Sequence, residues 1–146
     1  MFKKKVKVSS VDELKSFAEK LSPCLKGNEL ILLIGDLGSG KTTFTKFLIS
    51  AIDLKAGEEV SSPTFSVMNI YETEKFTVYH VDLYRVKEFD MSDIIGKGIV
   101  IVEWPDEEMN KFEEVPTIIL KFDIHDEDKR IIELDLIKAD YVKQCI

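Results

Sequence analysis

Positive charge is scarce in this chain. Its 20 lysines and arginines are outnumbered by 27 aspartates and glutamates, so the formal net charge is −7 and the pI lies near 4.9. A surface of that sign repels a polyanion and lacks the basic footprint of a protein that binds nucleic acid alone. We therefore expect no direct binding of DNA, and we expect any other nucleic acid to be held by a partner protein.

Cysteines are few, and long apolar runs are missing. Cys24 and Cys145 lie near opposite ends of the chain, outside any CxxC pair or Cys/His cluster. This spacing indicates neither a zinc site nor a disulfide framework, so we expect two ordinary thiols in a reducing compartment. No apolar segment follows the basic start MFKKKVKV, and no run approaches the roughly 18 apolar residues of a membrane span. The sequence predicts a cytoplasmic protein without a membrane segment.

Apolar residues make up 45% of the 146 residues, enough to build a core. No linker divides the chain, so we expect a single domain over residues 1–146. KKVKV alternates charged and apolar residues, which is typical of a half-buried strand. Ser10 and Glu13 have the spacing of a capping box and predict the start of a helix, which Pro23 to Asn28 would end. The apolar positions of this helix are Leu14, Phe17, Ala18 and Leu21.

Several apolar stretches predict strands. LILLI, residues 30–34, and GIVIVEW, residues 98–104, are continuously apolar, which is typical of central strands in a parallel sheet. A hairpin is predicted from TFSVMNIY and KFTVYHVDLY with a turn at 72–75, and a second from TIILKFDI and RIIELDLI. The stretch 57–63 predicts a loop before the first hairpin.

The stretch GDLGSGKTT, Gly35 to Thr43, follows the first central strand and precedes a predicted helix. It satisfies G-x-x-x-x-G-K-[ST], in which glycines let backbone N–H groups turn toward a phosphate and the helix adds its positive N-terminal end. Lys41 would bridge the β- and γ-phosphates, and the Thr42 hydroxyl would ligate Mg²⁺. The predicted fold is an α/β, three-layer domain of the P-loop NTPase type, with parallel central strands and antiparallel strands added at the edges.

A carboxylate at the end of a neighbouring strand has to complete the magnesium site. Asp82 follows FTVYHV and Glu103 follows GIVIV, and the residues alone leave both open, although the wholly apolar run favours Glu103. Thr64 in SSPTF is a third candidate, because a hydroxyl on this proline-stiffened loop could close over the γ-phosphate. A turn that initiates the next strand is the simpler interpretation of Thr64.

Two other classes of P-loop protein compete with an ATPase. Small-molecule kinases usually clamp the transferred phosphoryl group with several arginines, and this chain has only Arg85 and Arg130. A GTPase-like switch would carry an Asn/Thr-Lys-x-Asp signature late in the chain, where the nearest stretch is IKAD. Adenine is thus favoured over guanine, and the kinase remains the alternative function.

GDLGSGKTTF, SSPTF, VYHVDLYR and IVEWPD, in this order, resemble the TsaE (YjeE) family of bacterial ATPases. The resemblance implies a cytoplasmic, weakly active ATPase that uses ATP and Mg²⁺. It would support formation of threonylcarbamoyladenosine at adenosine 37 of tRNAs that read ANN codons. It implies docking on the TsaB–TsaD complex, which the chain would reset between turnovers, so that tRNA is contacted only through these partners.

The resemblance also implies roles for individual residues. Asp82 would orient or deprotonate the attacking water, with Lys41 as the second catalytic residue, and Thr42 and Glu103 would ligate magnesium. The nucleotide would be contacted by Leu37, Gly38, Ser39, Gly40, Lys41, Thr42, Thr43, Ser10, Thr64, Asp82, Asp106 and Arg130. Trp104 is either a packing residue or a sensor of nucleotide or partner. The segment between Arg85 and Glu103 is shorter than expected for the family, with its usual helix reduced to DMSDII, which puts a partner contact there in doubt.

Overall fold

The computed structural model describes residues 2–61, 67–86, 88–106 and 114–146. Within these ranges seven strands form one sheet, in the order β1-β7-β6-β2-β5-β4-β3. The strands are β1 (Phe2–Val8), β2 (Leu30–Gly35), β3 (Met68–Glu72), β4 (Thr77–Asp82), β5 (Ile99–Glu103), β6 (Thr117–Ile124) and β7 (Arg130–Ile137). The helices are α1 (Val11–Leu21), α2 (Lys41–Ile52) and α3 (Leu54–Glu58).

Four parallel strands form the centre of the sheet. β2 lies between β6 and β5, β4 lies beyond β5, and all four run in the same direction. Every residue of β5 is buried, as are the first four of β2, which explains why both stretches are continuously apolar. β3, β7 and β1 add antiparallel pairs at the edges. The predicted arrangement of a parallel centre with antiparallel edges is confirmed, as are both predicted hairpins.

The two faces of the sheet are covered differently. α1, α2 and α3 pack on one face around a core that includes Phe17, Phe44 and Ile101. The other face carries a smaller cluster with Leu32, Val102 and Met91. The layer over this second face includes the stretch 88–98, which forms turns. The three-layer P-loop NTPase-like fold is confirmed, and the predicted helix of DMSDII is reduced to turns.

The helix ends show which local signals the sequence carries. The Ser10 hydroxyl accepts the Glu13 N–H at 3.1 Å, as in a capping box, whereas the Glu13 carboxylate accepts the N–H of Ser9, one residue before the N-cap, at 2.9 Å. α3 is not predicted by the sequence, because Gly57 looked like the start of a loop. Gly57 instead lies in α3, where a Cβ would come within 1.9 Å of the Ser50 hydroxyl oxygen. Its lack of a side chain lets α3 pack against α2.

The prediction of two free thiols is wrong, because Cys24 and Cys145 form a disulfide. They are separated by 121 positions in sequence, but their Cα atoms lie 6.2 Å apart. Cys24 ends a 3-10 turn directly after α1, and Cys145 ends a 3-10 turn, Asp140–Cys145, that follows β7. The tertiary packing of these turns brings the sulfurs together, and sequence spacing cannot reveal it. No helix in the described ranges is both long enough and apolar enough to cross a membrane.

Candidate nucleotide-binding site

The phosphate loop joins the carboxyl end of β2 to the start of α2. Gly38 has φ +78° and Gly40 has φ +106°, left-handed conformations that favour glycine. Gly40 is the N-cap residue of α2 and provides no side-chain hydrogen bond there. The first N–H groups of a helix have no partner within the helix and attract anions. Gly38 and Gly40 therefore adopt left-handed conformations of the kind for which the motif uses glycine.

Arg130 holds this loop from the side of β7. Its guanidinium donates from Nε to the Ser39 carbonyl at 3.1 Å and from Nη2 to the Gly38 carbonyl at 3.2 Å. Nη1 donates to the carbonyl of Asp126 at 2.8 Å, within the turn between β6 and β7. Because the C=O and N–H of a trans peptide point in opposite directions, fixing the Ser39 carbonyl turns the Gly40 N–H away from Arg130. Arg130 thus contacts the backbone of the predicted phosphate cradle.

Lys41 is the buried cation of the site, with a relative exposure of 5%. Its ammonium donates to the Gly35 carbonyl and, at 3.2 Å, to the Asp36 carbonyl. The same Nζ lies 3.8 Å from the centroid of the Trp104 ring, close enough for a cation–π interaction. Burial lowers the pKa of Lys41, and the nearby carboxylates of Glu103 and Asp82 oppose that shift. The ammonium is therefore held by groups that a phosphate could replace.

Glu103 lies next to Thr42, across the gap between β5 and α2. The Thr42 hydroxyl is 3.0 Å from each carboxylate oxygen of Glu103, and the Glu103 residue is 3% exposed. Asp82 is directly opposite Glu103 in the register of β4 and β5, so both acids reach the same edge of the sheet. The Asp82 carboxylate accepts the N–H of Tyr84 at 2.9 Å. The structure brings together Lys41, Thr42, Glu103 and Asp82 as the sequence predicts.

The oxygen donors of this cluster fit a magnesium ion. A hydroxyl and carboxylates are hard oxygen ligands, and Mg²⁺ is commonly held by one or two such groups together with phosphate oxygens. The described residues contain no group of three or more His, Cys, Asp or Glu side chains that would form a metal cage without substrate. The Thr42–Glu103 pair therefore matches the one or two protein ligands with which Mg²⁺ is commonly held.

Two residues near Glu103 have contacts that sequence reasoning did not assign. Trp104 adopts a left-handed backbone with φ +59°, which is uncommon for a residue other than glycine. Its ring lies on Lys41 and 4.9 Å from the centroid of Tyr84. His80 is fully buried, and its Nε2 lies 2.5 Å from Oε2 of Glu103. The available signal for His80 was its position two residues before Asp82, which places both on one face of a strand.

The structure gives the exposure or the local contacts of other residues predicted to contact the nucleotide. Leu37 is 68% exposed, and Thr43 and Asp106 are also exposed. The Ser10 hydroxyl is engaged in capping α1. Gly40 lies close to α1, since a Cβ on it would be 3.5 Å from Leu14. Thr64 lies outside the described residues.

Comparisons with known proteins point to one family. The family model described as threonylcarbamoyl adenosine biosynthesis protein TsaE matches residues 8–132. The tRNA threonylcarbamoyladenosine biosynthesis protein TsaE of Aquifex aeolicus is 46% identical over 131 residues, covering 90% of this chain and 95% of that protein. The protein of the same name from Rickettsia bellii is 35% identical over 135 residues, covering 87% and 91% respectively.

The fold also matches a solved structure. The crystal structure of Bacillus subtilis YdiB resembles this chain with a TM-score of 0.71 at 24% identity, covering 99% of this chain and 92% of that one. The family match runs from the last residue of β1 into β7 and includes the phosphate loop, both acids and Arg130. With a family model that covers most of its length and relatives of up to 46% identity among those compared, this chain belongs to the TsaE family.

Proposed function

We propose that this chain is a weak, Mg²⁺-dependent ATPase that assists the formation of threonylcarbamoyladenosine in tRNA. One observation carries the ATPase part: the Thr42 hydroxyl at the start of α2 lies 3.0 Å from the Glu103 carboxylate at the end of β5, beside the buried Lys41. The family of the chain and the printed names of its relatives support the tRNA part.

Each side chain of the cluster has a chemical task in this proposal. Lys41 would exchange the Gly35 and Asp36 carbonyls for β- and γ-phosphate oxygens. Thr42 and Glu103 would hold Mg²⁺, which when bound neutralises charge on the phosphates. Asp82, beside Glu103 in the sheet, would orient or deprotonate the attacking water.

The loop backbone and its supports bind the rest of the triphosphate. Residues 38–43 would surround the phosphates with N–H groups, and the guanidinium of Arg130 would keep the loop in that conformation through the Gly38 and Ser39 carbonyls. Leu37, Thr43, Ser10, Thr64 and Asp106 are proposed as the outer nucleotide contacts. Residues 1–146 would form a single P-loop ATPase domain.

The proposed partners are the TsaB–TsaD complex, which the chain would bind and reset after each turnover at adenosine 37. The net charge of −7 suits this role, because a protein that docks on a tRNA-binding assembly has no need to bind tRNA alone. The site of action would be the cytoplasm. A disulfide in that compartment is unusual but documented for intracellular proteins of hyperthermophiles.

The small-molecule kinase is less consistent with the geometry. A kinase lid needs arginines that can move onto the transferred phosphoryl group. Arg130 is engaged with carbonyls of the phosphate loop and of its own turn, so only Arg85, exposed after β4, is left for that task. No observation in the described residues favours a kinase over an ATPase.

Binding measured by calorimetry tests the ATPase part. Lys41→Ala should abolish the binding of ATP, because the phosphates lose their buried cation. Lys46→Ala is the matched control, since Lys46 is exposed on the same helix and should bind ATP like the unmodified chain. Undiminished ATP binding by Lys41→Ala would refute the proposed cradle.

Reconstitution tests the pathway part. We expect slow ATP hydrolysis by the chain alone and faster hydrolysis when TsaB and TsaD are added. Modified tRNA should stall near one equivalent per TsaD without the chain and exceed it with the chain. The Lys41→Ala variant should fail to relieve the stall. The assignment of partners would be contradicted if TsaB and TsaD left the rate of ATP hydrolysis unchanged and the chain left the yield of modified tRNA unchanged.

A further inference from the structure

The strand β4 buries a histidine directly beneath the proposed magnesium ligand. His80 has no exposed side-chain surface, and its Nε2 lies 2.5 Å from Oε2 of Glu103, whose side chain is 4% exposed. We propose that His80 is a positioning residue that orients the Glu103 carboxylate for magnesium. This inference rests on the proposed function, because it assigns a supporting residue to the same metal site.

The sheet register explains how the contact arises. Asp82 pairs with Glu103 and His80 pairs with Ile101, so His80 lies one pleat below Glu103 on the face that carries Asp82. This face packs against α1 and α2 through the larger core, which includes Ile101 and Val78. An apolar residue at position 80 would fit that core without a buried polar atom. The histidine therefore needs an explanation other than core packing.

The hydrogen bonds of His80 point to Glu103 as the reason for its presence. Nδ1 of His80 is buried and has no hydrogen-bond partner among the described residues. A buried ring nitrogen without a partner costs free energy. Because Nε2 faces the Glu103 carboxylate, we assign the ring proton to Nε2, since a bare nitrogen lone pair there would be repelled by the carboxylate oxygen. The Nε2–H donor to Glu103 is thus the contact that compensates for burying the ring.

His80 also makes the two oxygens of Glu103 inequivalent. The Thr42 hydroxyl is 3.0 Å from both oxygens and cannot distinguish them, whereas His80 contacts only Oε2. With Oε2 held from below, the carboxylate cannot rotate freely, and Oε1 is left to face the site. Hydrogen bonds of this kind fix the orientation of metal-binding carboxylates, and their loss typically weakens metal affinity.

The experiment compares three variants at position 80. His80→Leu removes the donor, His80→Gln can place an amide N–H near the former Nε2, and His80→Asn is too short to reach Glu103. The probe is Mg²⁺ titrated into the protein with a fixed concentration of ATP, compared with ATP binding in EDTA. We expect His80→Leu to raise the half-saturating Mg²⁺ concentration about tenfold or more. Binding in EDTA should stay within about twofold, because the loop and Lys41 are untouched, so the predicted effect is metal-specific.

Rescue by the conservative variant separates positioning from packing. His80→Gln should stay within about threefold of the unmodified chain, and His80→Asn should resemble His80→Leu. In a Glu103→Ala background, His80→Leu should add no further loss of Mg²⁺ affinity. Should His80→Leu fail to fold, the comparison of His80→Gln with His80→Asn still decides the question.

Two results would overturn the inference. One is an unchanged Mg²⁺ requirement in both His80→Leu and His80→Asn. The other is an equal loss of ATP binding with and without Mg²⁺, which would mark His80 as a packing residue. Failure of the proposed function would give a different result: the unmodified chain would not bind ATP, or would bind it no more tightly than Lys41→Ala does.

Discussion

Two buried glutamates lie at opposite ends of the central strands, and their surroundings differ. Glu29, 0% exposed, precedes β2, and its carboxylate accepts the N–H groups of Lys26, Gly27 and Asn28 at 2.7 to 3.2 Å. The Tyr141 hydroxyl donates a fourth bond at 2.5 Å. Glu103, 3% exposed at the end of β5, instead accepts from the side chains of Thr42 and His80.

The kind of donor separates a structural carboxylate from a functional one. The turn that carries these three N–H groups depends on Gly27, whose φ of +107° favours glycine. The N–H groups cannot move away from Glu29 unless this turn unfolds. The Thr42 hydroxyl can rotate away from Glu103 and bind something else. We therefore expect the Glu29 end of the sheet, which also holds the Cys24–Cys145 disulfide, to determine stability. The Glu103 end should determine magnesium-dependent binding.

The largest expected effect is loss of the disulfide. Replacing Cys24 and Cys145 by serine frees a loop of 121 residues and should lower the free energy of unfolding by about 4 kcal/mol, because the unfolded chain gains entropy. Denaturant unfolding under oxidising conditions measures this, with reduced unmodified chain as the control. ATP binding should be unchanged. Equal stability of the serine variant and the oxidised chain would show that the disulfide contributes little.

Glu29→Gln comes next in expected size. In this variant an NH₂ group replaces a carboxylate oxygen that accepts backbone N–H groups, so that N–H donors face another donor. The substitution should lower the free energy of unfolding by about 3 kcal/mol. Chemical denaturation measures the loss, and calorimetry should find Mg²⁺–ATP affinity unaltered. A variant that keeps its stability but loses Mg²⁺–ATP binding would reverse the roles we assign to the two ends.

Glu103→Gln is the matched change at the other end. We expect the apparent affinity for Mg²⁺ in the presence of ATP to fall about 100-fold, since the carboxylate charge is lost. Stability should stay the same or rise, because burying a neutral amide costs less than burying a carboxylate. ATP binding in EDTA serves as the control. Equal weakening with and without Mg²⁺ would move the ligand role to Asp82.

Tyr141→Phe should have the smallest effect, about 1.5 kcal/mol of stability, from the loss of one hydrogen bond to a charged group. Burial and the neighbouring Glu29 raise the pKa of Tyr141 above its usual value near 10. Tyrosinate forms more readily in the unfolded chain, so this contribution is present below about pH 10 and is lost as pH rises above it. Unfolding measured from pH 8 to 11 should show a smaller alkaline loss for Tyr141→Phe. If the free energy of unfolding fell equally with pH in Tyr141→Phe and in the unmodified chain, the proposed contribution of Tyr141 would be contradicted.

Most of the fold could be predicted because its signals are local. β2 and β5 are continuously apolar since both of their faces are covered, and Ser10 and Glu13 mark the start of α1 with their own hydrogen bonds. α3 could not be predicted, because Gly57 lies inside this helix. Its missing side chain allows close packing against Ser50 in α2 and does not mark a turn. The competing signal was the usual role of glycine as a helix breaker.

The candidate site likewise contains residues that the sequence identifies directly and residues that only the fold brings together. The phosphate loop is contiguous in sequence, so Gly40, Lys41 and Thr42 could be identified directly. Arg130 and Glu103 come from other strands, and the residues alone left Glu103 and Asp82 both open as magnesium ligands, with the apolar run before Glu103 in its favour. The register of β4 and β5 brings both acids to one edge of the sheet, and the contact with Thr42 distinguishes them.

The sequence by itself determined the parallel α/β core, the phosphate loop and the family, because periodicity and contiguous motifs act over a few residues. Only the tertiary structure decided three further features: the bond between Cys24 and Cys145, the hydrogen bond from Tyr141 to Glu29 and the contact of His80 with Glu103. Each depends on a distance between residues remote in sequence. Such distances are set by the packing of the whole chain and leave no trace in local composition.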